Sequence, residues 1–496
     1  MAYLLGIDAS TTATKAVLVD ASGSVAGVGA VAYDVAIPQA GWTEQDPALW
    51  SDGALEAIRR ALRAAGADGH AVAAIGLTGQ MHGSVLLDAD RRVVRPAILW
   101  NDQRTAAECD AIRAAVGGRE RLVAITGNDA VTGLTAPKLL WVRRHEPAAF
   151  ARVRHVVLPK DYVRLALTGE LAVDKADGSG TLLFDLGARD WSRAVLDALS
   201  LDPELFPATH EGPATTGAVT AAVAAATGLR AGTPVVAGGG DQAAGAVGAG
   251  ILEPGTLFAS LGTSGVVFAA TDAPLFDPAG RVHAFCHAVP GRWHLMSVML
   301  SAAGSLRWLR DTLAPDAPYD RLVAEADGAR AAEDGLFFLP YLSGERSPYP
   351  DPQARGAFVG LTLSHDRHHL TRAVLEGVAF GLRDGLDLMR AAGLPRATEI
   401  RLTGGGSVSP LWRQILADVL DAPIATVNTS EGAAYGAALL GSEAAGWSTS
   451  VAAIAGQLVR PALTNEPDPG AVAAYADAHG RFRSLYPALA PIFHAG

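Results

Sequence analysis

One arrangement of apolar and polar positions occurs twice in this chain, far apart. Leu4-Leu5-Gly6-Ile7 runs into Asp8, then into the small hydroxyl turn Ala9-Ser10-Thr11-Thr12, then into Ala16-Val17-Leu18-Val19. Thr256-Leu257-Phe258-Ala259 runs through Ser260-Leu261 into Gly262-Thr263-Ser264, then Gly265-Val266-Val267-Phe268. Each reads as strand, tight turn, strand. Strands over 3–8, 14–20 and 24–36 predict a β-meander. Asp46-Pro47 opens a helix, with Asp as N-cap and Pro at the first helical position. Leu49, Leu55, Ile58 and Leu62 fall near helical spacing on one face. Strands follow at 73–77, 85–87 and 98–100, and helices at 104–115 and 137–150. Pro234-Val235-Val236-Ala237 is a strand that ends in Gly238-Gly239-Gly240, and a small-residue helix follows. Residues 461–470 read as a surface loop before a last amphipathic helix over 471–485.

Strands and helices alternate throughout, so the chain is α/β. Its 496 residues are too many for one core and suit two domains. The boundary is placed near 246, giving domains 1–246 and 247–496. A second pair of joints, Ile75-Gly76-Leu77-Thr78-Gly79 and Ile400-Arg401-Leu402-Thr403-Gly404, differs in spacing. It reads as the strand–glycine joint common to α/β chains.

Hydrophobic residues make up 49% and charged residues 18%, which is globular composition. The formal net charge of −11 argues against nucleic acid as the main partner. Two cysteines, Cys109 and Cys286, fit a reducing compartment, and the cytoplasm is expected. The first residues read as a strand rather than a signal peptide, and no apolar run reaches membrane-span length. Oligomeric state is left open, with a homodimer as one candidate.

A turn of small hydroxyl residues offers backbone N–H groups and hydroxyls to an anion. Two such turns facing each other could grip one polyphosphate. Ser10, Thr11 and Thr12, and Gly262, Thr263 and Ser264, are therefore nucleotide-binding candidates. Lys15 could touch phosphate or be a solvated strand residue. Asp8 ends the first strand; it is placed to hold Mg²⁺, directly or through water, or to start a turn. Asp241 stands at a strand's C-terminal end among glycines. It reads equally as a general base for a sugar hydroxyl and as a helix cap. Gln80-Met81-His82 and Trp100-Asn101-Asp102 end neighbouring strands and suit hydrogen bonding to a polyol, and Gln242 is added because it follows the base.

Other patterns carry less. Gly238-x-Gly240-x-x-Ala243 matches the dinucleotide fingerprint, yet Ser260 and Leu261 stand where a ribose-binding acid is needed. His283, Cys286, His287 and His294 straddle a hairpin through Pro290-Gly291, which is no compact zinc set. Neither a P-loop nor the protein-kinase motif set is present.

Gly133-Leu134-Thr135-Ala136-Pro137-Lys138-Leu139-Leu140-Trp141-Val142 resembles the first signature of the FGGY carbohydrate kinases. Gly356-Ala357-Phe358-Val359-Gly360-Leu361, continuing to Ala373-Val374-Leu375-Glu376, resembles the second. The likeness runs nearly end to end. It implies an actin-like fold, two ribonuclease-H-like domains with a cleft between them, closing on a sugar and ATP. It implies Asp241 as the base and Asp8 as a second carboxylate near Mg²⁺ and phosphate. Gly262-Thr263-Ser264 is similar to the second phosphate loop, and Gly404-Gly405-Gly406 to the adenosine-side loop. The pair Met81-His82 resembles that of members acting on D-xylulose, where glycerol kinases carry Arg-Glu. The signatures themselves are implied to be mainly structural. Three positions depart from the family pattern: Ala9-Ser10 replaces a Gly-Thr pair, Gln242 replaces Asn, and Val408 replaces Arg. The expected activity is ATP-dependent phosphorylation of D-xylulose. The alternatives are a kinase for ribulose, fuculose or glycerol and, of a different class, a dinucleotide-dependent oxidoreductase built on the Gly238 turn.

Overall fold

The computed structural model describes residues 2–429 and 431–495. In the first half, β1 (Tyr3–Ala9), β2 (Ala13–Asp20) and β3 (Val25–Ala32) form the expected meander, and β4 (Val72–Gly79) lies parallel to β1 on its other side. The sheet continues with β5 (Thr215–Ala218) and β6 (Pro234–Val236), while the two-residue β7 (Gly239–Gly240) also pairs with β4. In the second half, β8 (Thr256–Leu261) and β9 (Gly265–Thr271) form the repeated hairpin. Strands β10 (His283–Cys286) and β11 (Trp293–Met299) extend it on one side. On the other side stand β12 (Glu399–Thr403), β13 (Ile424–Val427) and β14 (Pro461–Asn465).

Both sheets therefore share one order: an antiparallel hairpin flanked by a parallel strand beside its first member. The halves are two ribonuclease-H-like domains of the actin-like kind. Strand β12 stands beside β8 as β4 stands beside β1. The second pair of joints, read as coincidence from its spacing, is thus structurally equivalent.

Strand β1 is central, with Leu4, Leu5, Ile7 and Ala9 buried on both faces, which explains its unbroken apolar run. Helix α1 (Ala48–Ala65) covers the first sheet, burying Trp50, Ala54, Ala57, Ile58, Ala61 and Leu62. Leu49 is exposed instead. A Cβ on Gly29 would meet Ala57 O at 2.1 Å, so the helix approaches at backbone distance. Small residues make that face, and a leucine pattern does not reveal them. Asp46 does not occupy the N-cap position, which falls to Pro47; its carboxylate still accepts the Ala48 N–H at 3.0 Å. Residues 461–465 form an edge strand where a loop was expected. Pairing with β13 supplies their structure, and their mostly exposed side chains leave no apolar alternation to read.

The halves are joined by an exchange of helices. Helix α2 (Asp241–Gly248) leaves the first sheet, and the chain beyond it packs Ala249 and Ile251 against Phe258 and Phe268 of the second half. Helix α3 (Gly432–Leu440) comes from the second half and lies across β1 and β4. The two helices touch along their backbones: a Cβ on Gly436 would stand 1.8 Å from Ala244 O. Among the described residues, no helix is long and apolar enough to cross a membrane.

Candidate active site

Strand β4 sets the positions of both candidate carboxylates. Asp8 of β1 is level with Thr78, and Gly239-Gly240 of β7 are level with Thr78-Gly79. Asp241 follows at once. Asp8 and Asp241 thus lie one strand apart on either side of β4, with about 10 Å between backbones at ordinary sheet spacing. Both line one cavity of about 540 Å³ with Gln242, Ser260, Thr403 and Gly404. Gly238 makes the turn into β7: its φ is +80°, and a Cβ there would stand 1.9 Å from Leu77 O. Helix α2 starts at Asp241 with Gly240 as N-cap, and no side chain caps it. Asp241 is thus the first helical residue and not the N-cap; its carboxylate accepts from Gln242 in the helix's first turn and also lines the cavity.

Burial pushes the Asp241 carboxyl up to about 6, partly offset by hydrogen bonds from Gln242. Burial and then the Asp241 charge push Asp8 up to about 7, with Lys15 opposing. Asp8 Oδ1 is buried with no hydrogen-bond partner among the described residues. An orphaned carboxylate oxygen beside a phosphate-sized cavity fits Mg²⁺, which takes one or two carboxylates plus phosphate and water.

The first hydroxyl turn is partly closed on itself. Ser10 Oγ donates to Ala13 O at 2.8 Å, and Thr11 Oγ1 donates to Gln80 Oε1 at 3.3 Å while accepting from Trp100 Nε1 at 3.0 Å. The backbone amides of Thr11 and Thr12, and the exposed Thr12 hydroxyl, have no partner among the described residues. Lys15 pairs with Glu431 at 3.1 Å across the halves. In the second turn, Gly262 O and Thr263 O accept from Ala303 N and Ala302 N, and the amides of Gly262 and Thr263 have no partner among the described residues. Gly262 and Thr263 line a second cavity of about 890 Å³ with Leu261, Arg307, Tyr319, Gly405, Gly406 and Pro410. Ser264 lines neither cavity. Gly404 lines the first cavity and Gly405-Gly406 the second, while Val408 lines both, so the glycine loop separates them. One space suits phosphates and the other a nucleoside.

Met81 packs against Gly240, the residue before Asp241, and His82 follows it in the chain. Met81 is buried where a Cβ on Gly240 would stand, 2.6 Å from its Cγ. His82 has φ +66° and its Nδ1 lies 2.7 Å from Gly180 O. Burial, Lys138 and His283 hold the imidazole well below its usual range, so it is neutral. A carbonyl only accepts, so Nδ1 carries the proton and Nε2 is left as an acceptor.

Two expected sugar contacts are corrected. Asp102 is fully buried, its carboxylate held by the Arg104 guanidinium at 2.7 Å and by Thr43 N–H at 2.7 Å. Gln80 is buried and bonded to Thr11 and Gln45. Both brace the loops rather than face a ligand. Trp100 is 38% exposed and Asn101 is exposed, with Oδ1 accepting from Thr43 Oγ1 at 2.8 Å. His283, Cys286, His287 and His294 are all buried, as core residues of the second half.

Lys138 and Thr135 of the first signature stand directly under the His82 turn. Lys138 Nζ donates to His82 O at 2.8 Å and to Gly133 O at 2.7 Å, and Thr135 Oγ1 donates to His82 O at 3.1 Å. The first signature therefore buttresses the strained His82 turn. The signal was a lysine inside the apolar run Ala136–Val142, since a fully buried ammonium needs fixed acceptors.

Comparison with known proteins shows the family. The N-terminal domain of the FGGY family of carbohydrate kinases matches residues 3–248, and its C-terminal domain matches 257–445. A xylulose kinase of Escherichia coli (strain K12) is 46% identical over 492 residues, 98% of this chain and 99% of that protein. A xylulose kinase of Klebsiella pneumoniae is 43% identical over 497 residues, 98% and 99% of the two chains. The crystal structure of xylulose kinase from Rhodospirillum rubrum superposes with a TM-score of 0.92 at 34% identity, covering 99% of this chain and 100% of that one. The dinucleotide reading of the Gly238 turn is thereby set aside. Two matching domains, paired carboxylates in a shared cleft and an adjoining nucleoside-sized cavity place this chain in the FGGY family of carbohydrate kinases, as an ATP-using sugar kinase.

Proposed function

We propose that this kinase transfers the γ-phosphoryl group of ATP to the 5-hydroxyl of D-xylulose. The observation that carries the reading is the single cavity shared by Asp8 and Asp241, with Met81 packed against the turn that delivers Asp241. Asp241 takes the proton of the attacking hydroxyl. A carboxylate held near 6 is ionised at neutral pH and basic enough to accept it. Neutral His82, whose Nε2 accepts, orients a second sugar hydroxyl. The amides of Thr11-Thr12 and of Gly262-Thr263 hold the phosphates in line, and Gly405-Gly406 with Val408 receive the nucleoside. Mg²⁺ held at Asp8 would neutralise the phosphate charge that builds in transfer. Such catalysis is largely positioning and charge stabilisation. The near-full-length likeness to xylulose kinases favours xylulose over ribulose, fuculose or glycerol. The domains are proposed to divide near residue 246, with sugar and first phosphate turn on the first and nucleotide on the second.

The test is a sugar panel with Mg·ATP and coupled ADP detection, run on wild type and Asp241→Ala. D-xylulose should give the highest kcat/KM. Asp241→Ala should lower turnover about 10³-fold or more while retaining the wild-type melting profile. A preference for glycerol or ribulose rejects the substrate. Turnover within a few-fold of wild type rejects Asp241 as the base.

A further inference from the structure

The second half sends one cation toward the sugar loops of the first. The segment Glu345-Arg346-Ser347 is pinned at both ends. Glu345 Oε1 accepts Leu300 N–H at 3.0 Å and Arg346 N–H at 2.7 Å, and Ser347 Oγ donates to Arg281 O at 2.7 Å. Ser347 N–H donates to Val298 O at 3.1 Å. From this base the Arg346 side chain crosses the cleft. Its Nη2 lies 3.7 Å from the point where a Cβ on Gly133 would stand, and that point is 2.8 Å from Trp100 O. The guanidinium thus reaches the loops that carry Trp100 and, through the shared Lys138 clamp on Gly133 O and His82 O, His82.

No acceptor among the described residues takes a hydrogen bond from this guanidinium. Its acidic neighbour Glu345 is pushed up to about 8 by burial, so it is largely protonated at neutral pH and balances little of the charge. The other titratable groups within its field are His82, Lys138 and His283, none of them acidic. A half-buried cation with five donors and no acceptor is built for an electron-rich group on a ligand.

The chemistry of a 2-ketopentose supplies one. Ring closure of such a sugar consumes the 5-hydroxyl, so that hydroxyl is free only in the open-chain form, which carries an exposed C2 carbonyl. An enzyme that phosphorylates the 5-hydroxyl must hold that form. We propose that Arg346 donates hydrogen bonds to the C2 keto oxygen of the open-chain sugar and so sets selectivity for ketoses over the corresponding pentitols. This rests on the ketopentose reading above.

The experiment measures Kd by titration calorimetry, without nucleotide, for D-xylulose and for D-arabitol, one of its two products of reduction at C2. Wild type is compared with Arg346→Met and Arg346→Lys, each checked by melting temperature. Arg346→Met should weaken D-xylulose binding about tenfold or more and D-arabitol binding less than about threefold, because a charge-assisted bond to the carbonyl is lost only for the ketose. Arg346→Lys, which keeps the charge but not the planar pair of donors, should fall between, and carries the same comparison if the Met variant melts early. Equal weakening of both ligands, or weakening of neither, overturns the proposal. A wild type that phosphorylates no 2-ketopentose overturns the substrate reading itself, and the panel shows this independently.

Discussion

Asp8→Asn should make the unliganded enzyme more stable and nearly inactive. Asp8 faces Asp241 across one cavity, and its Oδ1 is buried without a partner. Its carboxyl rises from the usual 3.8 to about 7, chiefly through burial and then through the Asp241 charge. At ~1.4 kcal/mol per pH unit this corresponds to at most about 4 kcal/mol held against the ionised free enzyme. The side chain keeps access to the cavity, so water screens part of this and about 2 kcal/mol is the expected effect. The sign follows from the raised value. The folded state binds this proton more tightly than the unfolded chain, so the contribution is fully present below 3.8 and is lost as pH rises through about 7. Asparagine carries no charge to bury. Melting curves at pH 5.5 and 8 should show Asp8→Asn about 4 °C or more above wild type at pH 8, with a smaller gap at pH 5.5. Mg·ADP should reverse the order at pH 8, because wild type gains a charge partner that the variant cannot use. Equal melting at both pH values, or a destabilised variant at pH 8, refutes the idea that the free cleft stores carboxylate repulsion.

Other consequences are equally open to measurement. kcat/KM for the sugar should fall as pH drops through about 6, where Asp241 takes up its proton, by about tenfold for each further pH unit; a rate flat from pH 7 to 5 excludes it as the base. Lys138→Met leaves His82 O and Gly133 O without their clamp and should raise KM for the sugar about tenfold, with unchanged KM for ATP; steady-state kinetics in both substrates check the split. Gly436→Val drives a side chain into Ala244 O at the helix crossing and should cost about 3 kcal/mol or more, read by chemical denaturation. A variant of wild-type stability at Gly436 would mean that the crossing is looser than its backbone contact implies.

The hairpins at the start and middle of the chain were legible because each is local: an apolar strand, a hydroxyl or glycine turn and a second strand are contiguous in sequence. The tripled glycines and Asp241 were legible for the same reason. What sequence could not show is set by pairing between distant segments. Asp102 and Gln80 have the chemistry of sugar ligands, but Arg104, Thr43 and Gln45 claim them. Lys138 looks like one more charge in a signature until His82 and Gly133 are brought under it. Arg346 sits more than two hundred residues from the loops it reaches, in a segment without a repeat partner. On α1 the expected face holds for Leu55, Ile58 and Leu62 and fails at Leu49, while the alanines that meet the glycines of the sheet carry no apolar period to read.

The helix exchange links the parts of the site more tightly than the cleft alone suggests. Helix α2 begins with the proposed base Asp241 and presents Gly245 and Gly248 to the phosphate-sized cavity, while α3, from the other half, presents Gly432 and Ala433 to that cavity. The same helices meet at Ala244 and Gly436, where no side chain separates them. A Cβ on Gly248 would likewise stand 2.4 Å from Gly432 O. The wall of that cavity and the helix that carries Asp241 therefore rest on one backbone contact between the halves, so a variant that pushes the two helices apart is expected to displace both.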